Sequence, residues 1–182
     1  MTGKVYMKKE EKVYTNTVYK GRIVNLRVDG VLLPSGRKTL REVIEHAPAV
    51  GILAVTDESK VVFVKQYRYA VGEFLMEIPA GIVEEGESPE VAAKRELMEE
   101  TGYRPGKLVE VCRVYPSPGF SNEVIILYLA TELTEESMEQ DDDENIEVVL
   151  LTEPEIIKMV EEGKIKDGKT LLAILWYLEN QK

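Results

Sequence analysis

The sequence predicts an α+β layered domain preceded by a stretch of β-structure, and three observations carry that prediction. Short apolar, β-branched runs recur between residues 49 and 151, bounded by turn signals. One highly charged helical segment interrupts them at 88–101. Two further helical patterns close the chain after residue 152. Strands around one inserted helix, with helices at the end, imply layers packed on a shared sheet. A chain of 182 residues buries roughly 70% of its unfolded surface, so it folds without disulfides or a structural metal.

The first 46 residues read as extended. Residues 5–14 and 17–28 are strand candidates, with Asp29-Gly30 supplying a turn. Leu33-Pro34-Ser35-Gly36 is a second turn signal, and 39–45 a further strand. These strands contain no helix and little core, so they must pack on the rest of the chain or on a second copy. The runs at 49–56 and 60–67 form a hairpin across Asp57-Glu58-Ser59. Another strand covers 73–79. Ser88-Pro89 opens a helix as cap and first residue, and Gly102 closes it at about Thr101. Residues 108–115, 124–130 and 146–151 read as strands, and 132–145 as a loop. Thr152 and Glu155 have capping-box spacing for a helix ending near Gly163. A last helix covers 170–180. The predicted division is 1–46 and 47–182.

Composition excludes several function classes. Thirty-three acids against 23 bases give a net charge of −10, which opposes binding driven by phosphate neutralisation of nucleic acid. The acid is concentrated: residues 73–100 hold nine carboxylates and two bases, and 132–147 hold nine and none. Residues 1–46 are basic, with ten Lys/Arg against five acids. One cysteine, Cys112, excludes an internal disulfide, and one histidine, His46, excludes a His-rich metal site. No secretory leader and no apolar run of about 18 residues is present, so a cytoplasmic location without membrane insertion is expected.

The first acidic cluster carries chemistry. Glu96, Glu99 and Glu100 stand at i, i+3 and i+4, on one face of the predicted helix. They lie in its C-terminal half, where the dipole favours cations and like charges repel. Three glutamates on a helix fit either a solvated acidic face or a site for a hard divalent cation, Mg²⁺ or Mn²⁺. The surrounding residues decide between these. Gly81, Glu87, Arg95, Glu96, Leu97, Glu99, Glu100, Gly102 and Tyr103 match G-x5-E-x7-R-E-U-x-E-E-x-G-U, where U is bulky and apolar or aromatic. Such a match arises by chance on the order of once per million chains. The sequence therefore resembles the Nudix hydrolase family, and the strand order from about 47 to 180 is similar to the family fold.

The resemblance implies an α/β/α sandwich around a mixed sheet, here with an N-terminal antiparallel β-strand subdomain. It implies divalent-metal-dependent cleavage of a nucleoside diphosphate linked to another group. Glu96 and Glu100 are the implied metal ligands, with Glu99 adjacent and the Ala80 carbonyl as a backbone ligand. Gly81 allows a tight turn, and Glu87 and Arg95 tie loop to helix, with Arg95 offsetting the negative charge. Glu77-Ile78-Pro79-Ala80-Gly81 before the motif, and Ser117-Pro118-Gly119-Phe120-Ser121-Asn122-Glu123 after it, resemble the ADP-ribose pyrophosphatase branch. There Pro118 and Gly119 mark the substrate loop, and Glu123 serves either the metal site or the ribose end. Arg41, Arg68 and Arg27 are candidate substrate contacts, since a guanidinium forks onto phosphate; a surface charge explains Arg27 equally well.

In the same branch the region of the second acidic cluster provides the base that activates the attacking water. Glu144 is the first candidate and Asp142 the second. Branch members are often dimers with exchanged N-terminal strands, so a homodimer is expected. The expected reaction is ADP-ribose hydrolysis to AMP and ribose 5-phosphate. The alternatives are a GDP-mannose or other sugar-nucleotide pyrophosphatase, and a non-catalytic nucleotide-sensing module. The last typically lacks motif carboxylates, and none is missing here.

Overall fold

The computed structural model describes residues 8–136 and 146–180. The chain divides into two compact units, Met1–Ala47 with Ser117–Glu123, and Pro48–Pro116 with Val124–Lys182.

The first unit is an antiparallel sheet of β1 (Glu11–Lys20), β2 (Asn25–Leu32) and β3 (Lys38–Glu45) in that order. Its first turn differs from the sequence expectation. Asp29 and Gly30 do not turn; they continue β2, pairing with Arg41 and Leu40. The chain reverses instead at residues 21–24, where the Gly21 N–H donates to the Val24 carbonyl at 3.0 Å. Gly30 serves packing, because a Cβ there would overlap the Tyr14 ring. The second turn forms as expected, with Gly36 at φ 82°. Every residue of β1 is exposed, including Val13, Tyr14, Val18 and Tyr19. In the appended segment, Ser121 bridges Ile44, and the His46 N–H donates to Asn122 at 2.9 Å.

The second unit holds a seven-stranded mixed sheet. Its strands are β4 (Ala49–Val55), β5 (Val61–Arg68), β6 (Glu73–Glu77), β7 (Ala80–Ile82), β8 (Tyr103–Val114), β9 (Ile125–Glu135) and β10 (Ile146–Leu151). The main path runs β10-β5-β4-β9-β8, with β4 and β9 parallel and the other pairs antiparallel. β4 and β5 pair only at Ala54–Val62 and Val55–Val61; beyond that β6 pairs with β5 and β7 with β4. The segment entering the motif is therefore held between two central strands.

Side chains alternate across this sheet with the period of two that extended backbone dictates. Val50, Ile52, Ala54, Val62, Ile126, Tyr128 and Ala130 pack with Ala92, Ala93 and Leu97 of α1 (Pro89–Thr101). Leu53, Val61, Phe63, Ile125 and Leu127 face the opposite way. They pack with Ile156 of α2 (Glu153–Glu161) and with Ala173, Ile174 and Tyr177 of α3 (Gly168–Asn180). One helix on one face and two on the other make the α/β/α sandwich. Each fully buried Leu, Ile or Phe contributes roughly 2–3 kcal/mol, which fixes α1 against the sheet through Leu97.

Boundaries in the second unit moved as well. Residues 132–135 belong to β9 rather than a loop, because 133–135 pair with Tyr103–Pro105 of a β8 that starts five residues early. α3 starts at Gly168, ahead of Thr170. Among the described residues, no helix is long and apolar enough to cross a membrane.

Candidate active site

Local signals set α1. Ser88 caps it, accepting the Val91 N–H at 3.3 Å, Pro89 is its first residue, and Gly102 at φ 73° closes it. Its last turn has no base, so the three glutamates work against the helix dipole. The compensating cation within the chain is Arg95. Its guanidinium donates to Glu87 twice at 3.0 Å, to the Ile82 carbonyl at 3.0 Å, to Glu96 at 2.8 Å and to Glu99 at 2.9 Å. The Glu87 bonds, joined by those to Glu96 and Glu99, raise the guanidinium further above its ordinary range. The same bonds hold the Glu87 carboxyl below its usual range.

Glu100 is 5% exposed and accepts the Ala80 N–H at 3.0 Å, tying the helix to β7. Glu96 lies over Gly81, so closely that a Cβ on Gly81 would overlap its carboxylate. Gly81 is not among the glycines with positive φ; it is strand backbone paired with Val50. Its expected role in a tight turn gives way to that of an open space for Glu96. Glu99 points to the more exposed side, its side chain 43% accessible.

A metal is implied by the motif, and the residues present fit one. The donors are carboxylate oxygens gathered where a glycine leaves room, which suits a hard divalent cation. Among the described residues, no three carboxylate, imidazole or thiol groups form a ready-made cage. Magnesium does not require one, since it binds through one or two carboxylates and retains several waters.

The arginines are engaged with carboxylates. Arg68 forks onto Glu77 at 2.7 and 2.8 Å. Arg41 pairs with Glu10 at 2.6 and 3.0 Å, and Arg27 with Asp29 and Glu45. Arg27, Arg41, Pro118, Gly119 and Glu123 belong to the first unit, while Ala80, Gly81, Glu87, Arg95, Glu96, Glu99, Glu100, Gly102 and Arg68 belong to the second. Asp142 and Glu144 lie outside the described residues.

Sequence reasoning gave no individual role to Glu77, Asp167, Lys169 or Thr170. Glu77 is 1% exposed and takes Lys169 as well as Arg68. Two signals pointed there. A carboxylate in the apolar run 74–80 requires a partner. Asp167, three residues before Thr170, has N-cap spacing, and its carboxylate accepts the Thr170 N–H at 3.0 Å.

Residues 45–173 match the NUDIX domain family. The chain belongs to the Nudix family. It is 43% identical over 167 residues to an ADP-ribose pyrophosphatase of Bacillus subtilis (strain 168), covering 91% of this chain and 90% of that protein. It is 40% identical over 182 residues to a methanol dehydrogenase activator of Bacillus methanolicus, covering 99% and 97%. A crystal structure of an ADP compounds hydrolase superimposes with a TM-score of 0.85 over 97% of both chains, at 20% identity, and shares the fold. The expected fold class is thereby borne out for this Nudix chain.

Proposed function

We propose that this Nudix enzyme hydrolyses the pyrophosphate of ADP-ribose, yielding AMP and ribose 5-phosphate, with Mg²⁺ held by Ala80, Glu96 and Glu100. The observation that carries this reading is the gathering of the α1 carboxylates against Ala80 and Gly81. The 43% identity to an ADP-ribose pyrophosphatase supports the choice of substrate. Bound there, the metal would neutralise the pyrophosphate and lower the pKa of a bound water.

The chain's own residues do the rest. Glu99 is a reserve ligand on the open side. Arg95 holds the motif loop through Glu87 and limits repulsion among the glutamates. Glu144, or Asp142 as second candidate, accepts the proton of the attacking water. Pro118, Gly119 and Glu123 contact substrate. Of the three arginines, Arg41 is best able to receive a phosphate. Its pair with Glu10 is exposed on both sides, and such pairs are worth only about 0–1 kcal/mol, so phosphate can replace the carboxylate. Arg27 sits against buried Asp29 and is retained as structural.

A panel of nucleotide sugars assayed with Mg²⁺ tests the reading. ADP-ribose should give the highest kcat/KM, and no AMP release from it would refute the assignment. GDP-mannose outpacing ADP-ribose would favour the sugar-nucleotide alternative. A second reading, action on a partner dehydrogenase, has the 40% identity over 99% of the chain behind it. Adding the protein to a methanol dehydrogenase assay is the further arm that decides it.

The proposal includes a homodimer formed through the N-terminal sheet. That sheet buries little besides Asp29, Gly30 and Val31, and leaves Val13, Tyr14, Val18, Tyr19 and Leu40 exposed. We take this exposed apolar content as the mark of an interface. Light scattering at micromolar concentration should give twice the 20.6 kDa chain mass, and the monomer mass would exclude the dimer.

A further inference from the structure

The bonds around Glu77 form a closed circuit. Its carboxylate receives Arg68 and Lys169. Lys169 also donates to Asp167 at 3.0 Å. Asp167 accepts the Thr170 hydroxyl at 2.5 Å, and the Thr170 oxygen accepts the Ile78 N–H at 2.9 Å. The circuit returns to the residue after Glu77. Thr170 is fully buried, and the Lys169 side chain is 10% exposed. Burial pushes the Glu77 carboxyl up, yet Arg68 and Lys169 outweigh it and hold the group below its usual range.

Stability alone gives no reason for such a circuit, because buried ion pairs are often replaced by apolar residues at no net cost. Its position gives one. Four consecutive residues are fixed from three directions. The Glu77 side chain and the Ile78 N–H are held from the start of α3. The Pro79 carbonyl accepts the Ile52 N–H at 2.8 Å, and the Ala80 N–H is held by Glu100. This segment delivers Ala80 and Gly81 to the carboxylates of α1.

We propose that Asp167, Lys169 and Thr170 are positioning residues for the metal site, fixing Glu77 and Ile78 so that Ala80 and Gly81 meet Glu96 and Glu100. The inference rests on the reading that Ala80, Glu96 and Glu100 hold the divalent ion. Groups that orient metal ligands typically change metal affinity by about 10- to 100-fold when removed.

The test is calorimetric titration with Mn²⁺ of the wild type, T170V, T170S, K169M and E100Q, with a melting curve for each. T170V removes the oxygen at nearly constant shape, and K169M removes the charge. Both should weaken Mn²⁺ binding about tenfold or more. T170S should restore it. At saturating Mn²⁺ the KM for ADP-ribose should stay near the wild-type value. Wild-type Mn²⁺ affinity in T170V and K169M, beside lowered melting temperatures and lost binding in E100Q, would overturn the positioning role and spare the metal reading. Undiminished binding in E100Q would overturn both. If T170V does not fold, K169M decides.

Discussion

Glu100→Gln is expected to reduce kcat for ADP-ribose by about a thousandfold while moving the melting temperature by only a few degrees. The reduction corresponds to about 4 kcal/mol of lost transition-state stabilisation, the scale on which a bound metal acts. The fold should tolerate the change for two reasons. The glutamine carbonyl can still accept the Ala80 N–H that Glu100 accepts at 3.0 Å. Removing one charge also relieves a last helical turn that carries Glu99 and Glu100 with no base. Glu99→Gln is the internal control. Its side chain is 43% exposed and pairs with Arg95 on the α1 surface, so about a tenfold reduction is expected. AMP release at saturating Mg²⁺, beside thermal melts, measures both. Turnover of E100Q within tenfold of the wild type would refute its role as a metal ligand.

What could be read in advance followed from how local each signal was. Ser88, Pro89 and Gly102 bound α1 within fourteen residues of one another, and the caps formed where expected. Glu96, Glu99 and Glu100 share that one helix, so their common face followed from its period. Asp29-Gly30 misled because a glycine can serve a turn or a close approach, and here the Tyr14 ring from β1 takes the space. The extension of β9 to Glu135 depends on pairing with Tyr103–Pro105, a partnership no local pattern announces. The Glu77 circuit was hidden most deeply. Its Lys169 partner lies 92 residues away and reaches it only because α3 packs across the sheet. The arginines stood out as candidates by type, but their carboxylate partners, Glu10, Asp29 and Glu77, are set by strand pairing and by tertiary packing.

Gly81→Ala is expected to lower kcat/KM by about a hundredfold through a single methyl group. Backbone strain is not the cause, since Gly81 is strand residue paired with Val50 and lacks positive φ. The new Cβ would occupy the space of the Glu96 carboxylate. That carboxylate ends a flexible side chain, so it can swing aside for about 0.5–1.5 kcal/mol of rotamer strain, and the fold survives. The site does not, because Glu96 then leaves both its place over Gly81 and its 2.8 Å bond to Arg95. A ligand misplaced by about 1 Å costs on the order of a hundredfold in rate. The two roles for the glycine make opposite demands on experiment. A turn glycine replaced by alanine would lower the melting temperature and leave the surviving molecules active. A glycine that makes room for Glu96 should show a near-native melt and a poor enzyme. Shortening the displaced acid in the double variant G81A/E96D restores space by one methylene and should recover part of the activity. No recovery, together with a depressed melting temperature in G81A, would return Gly81 to a backbone role.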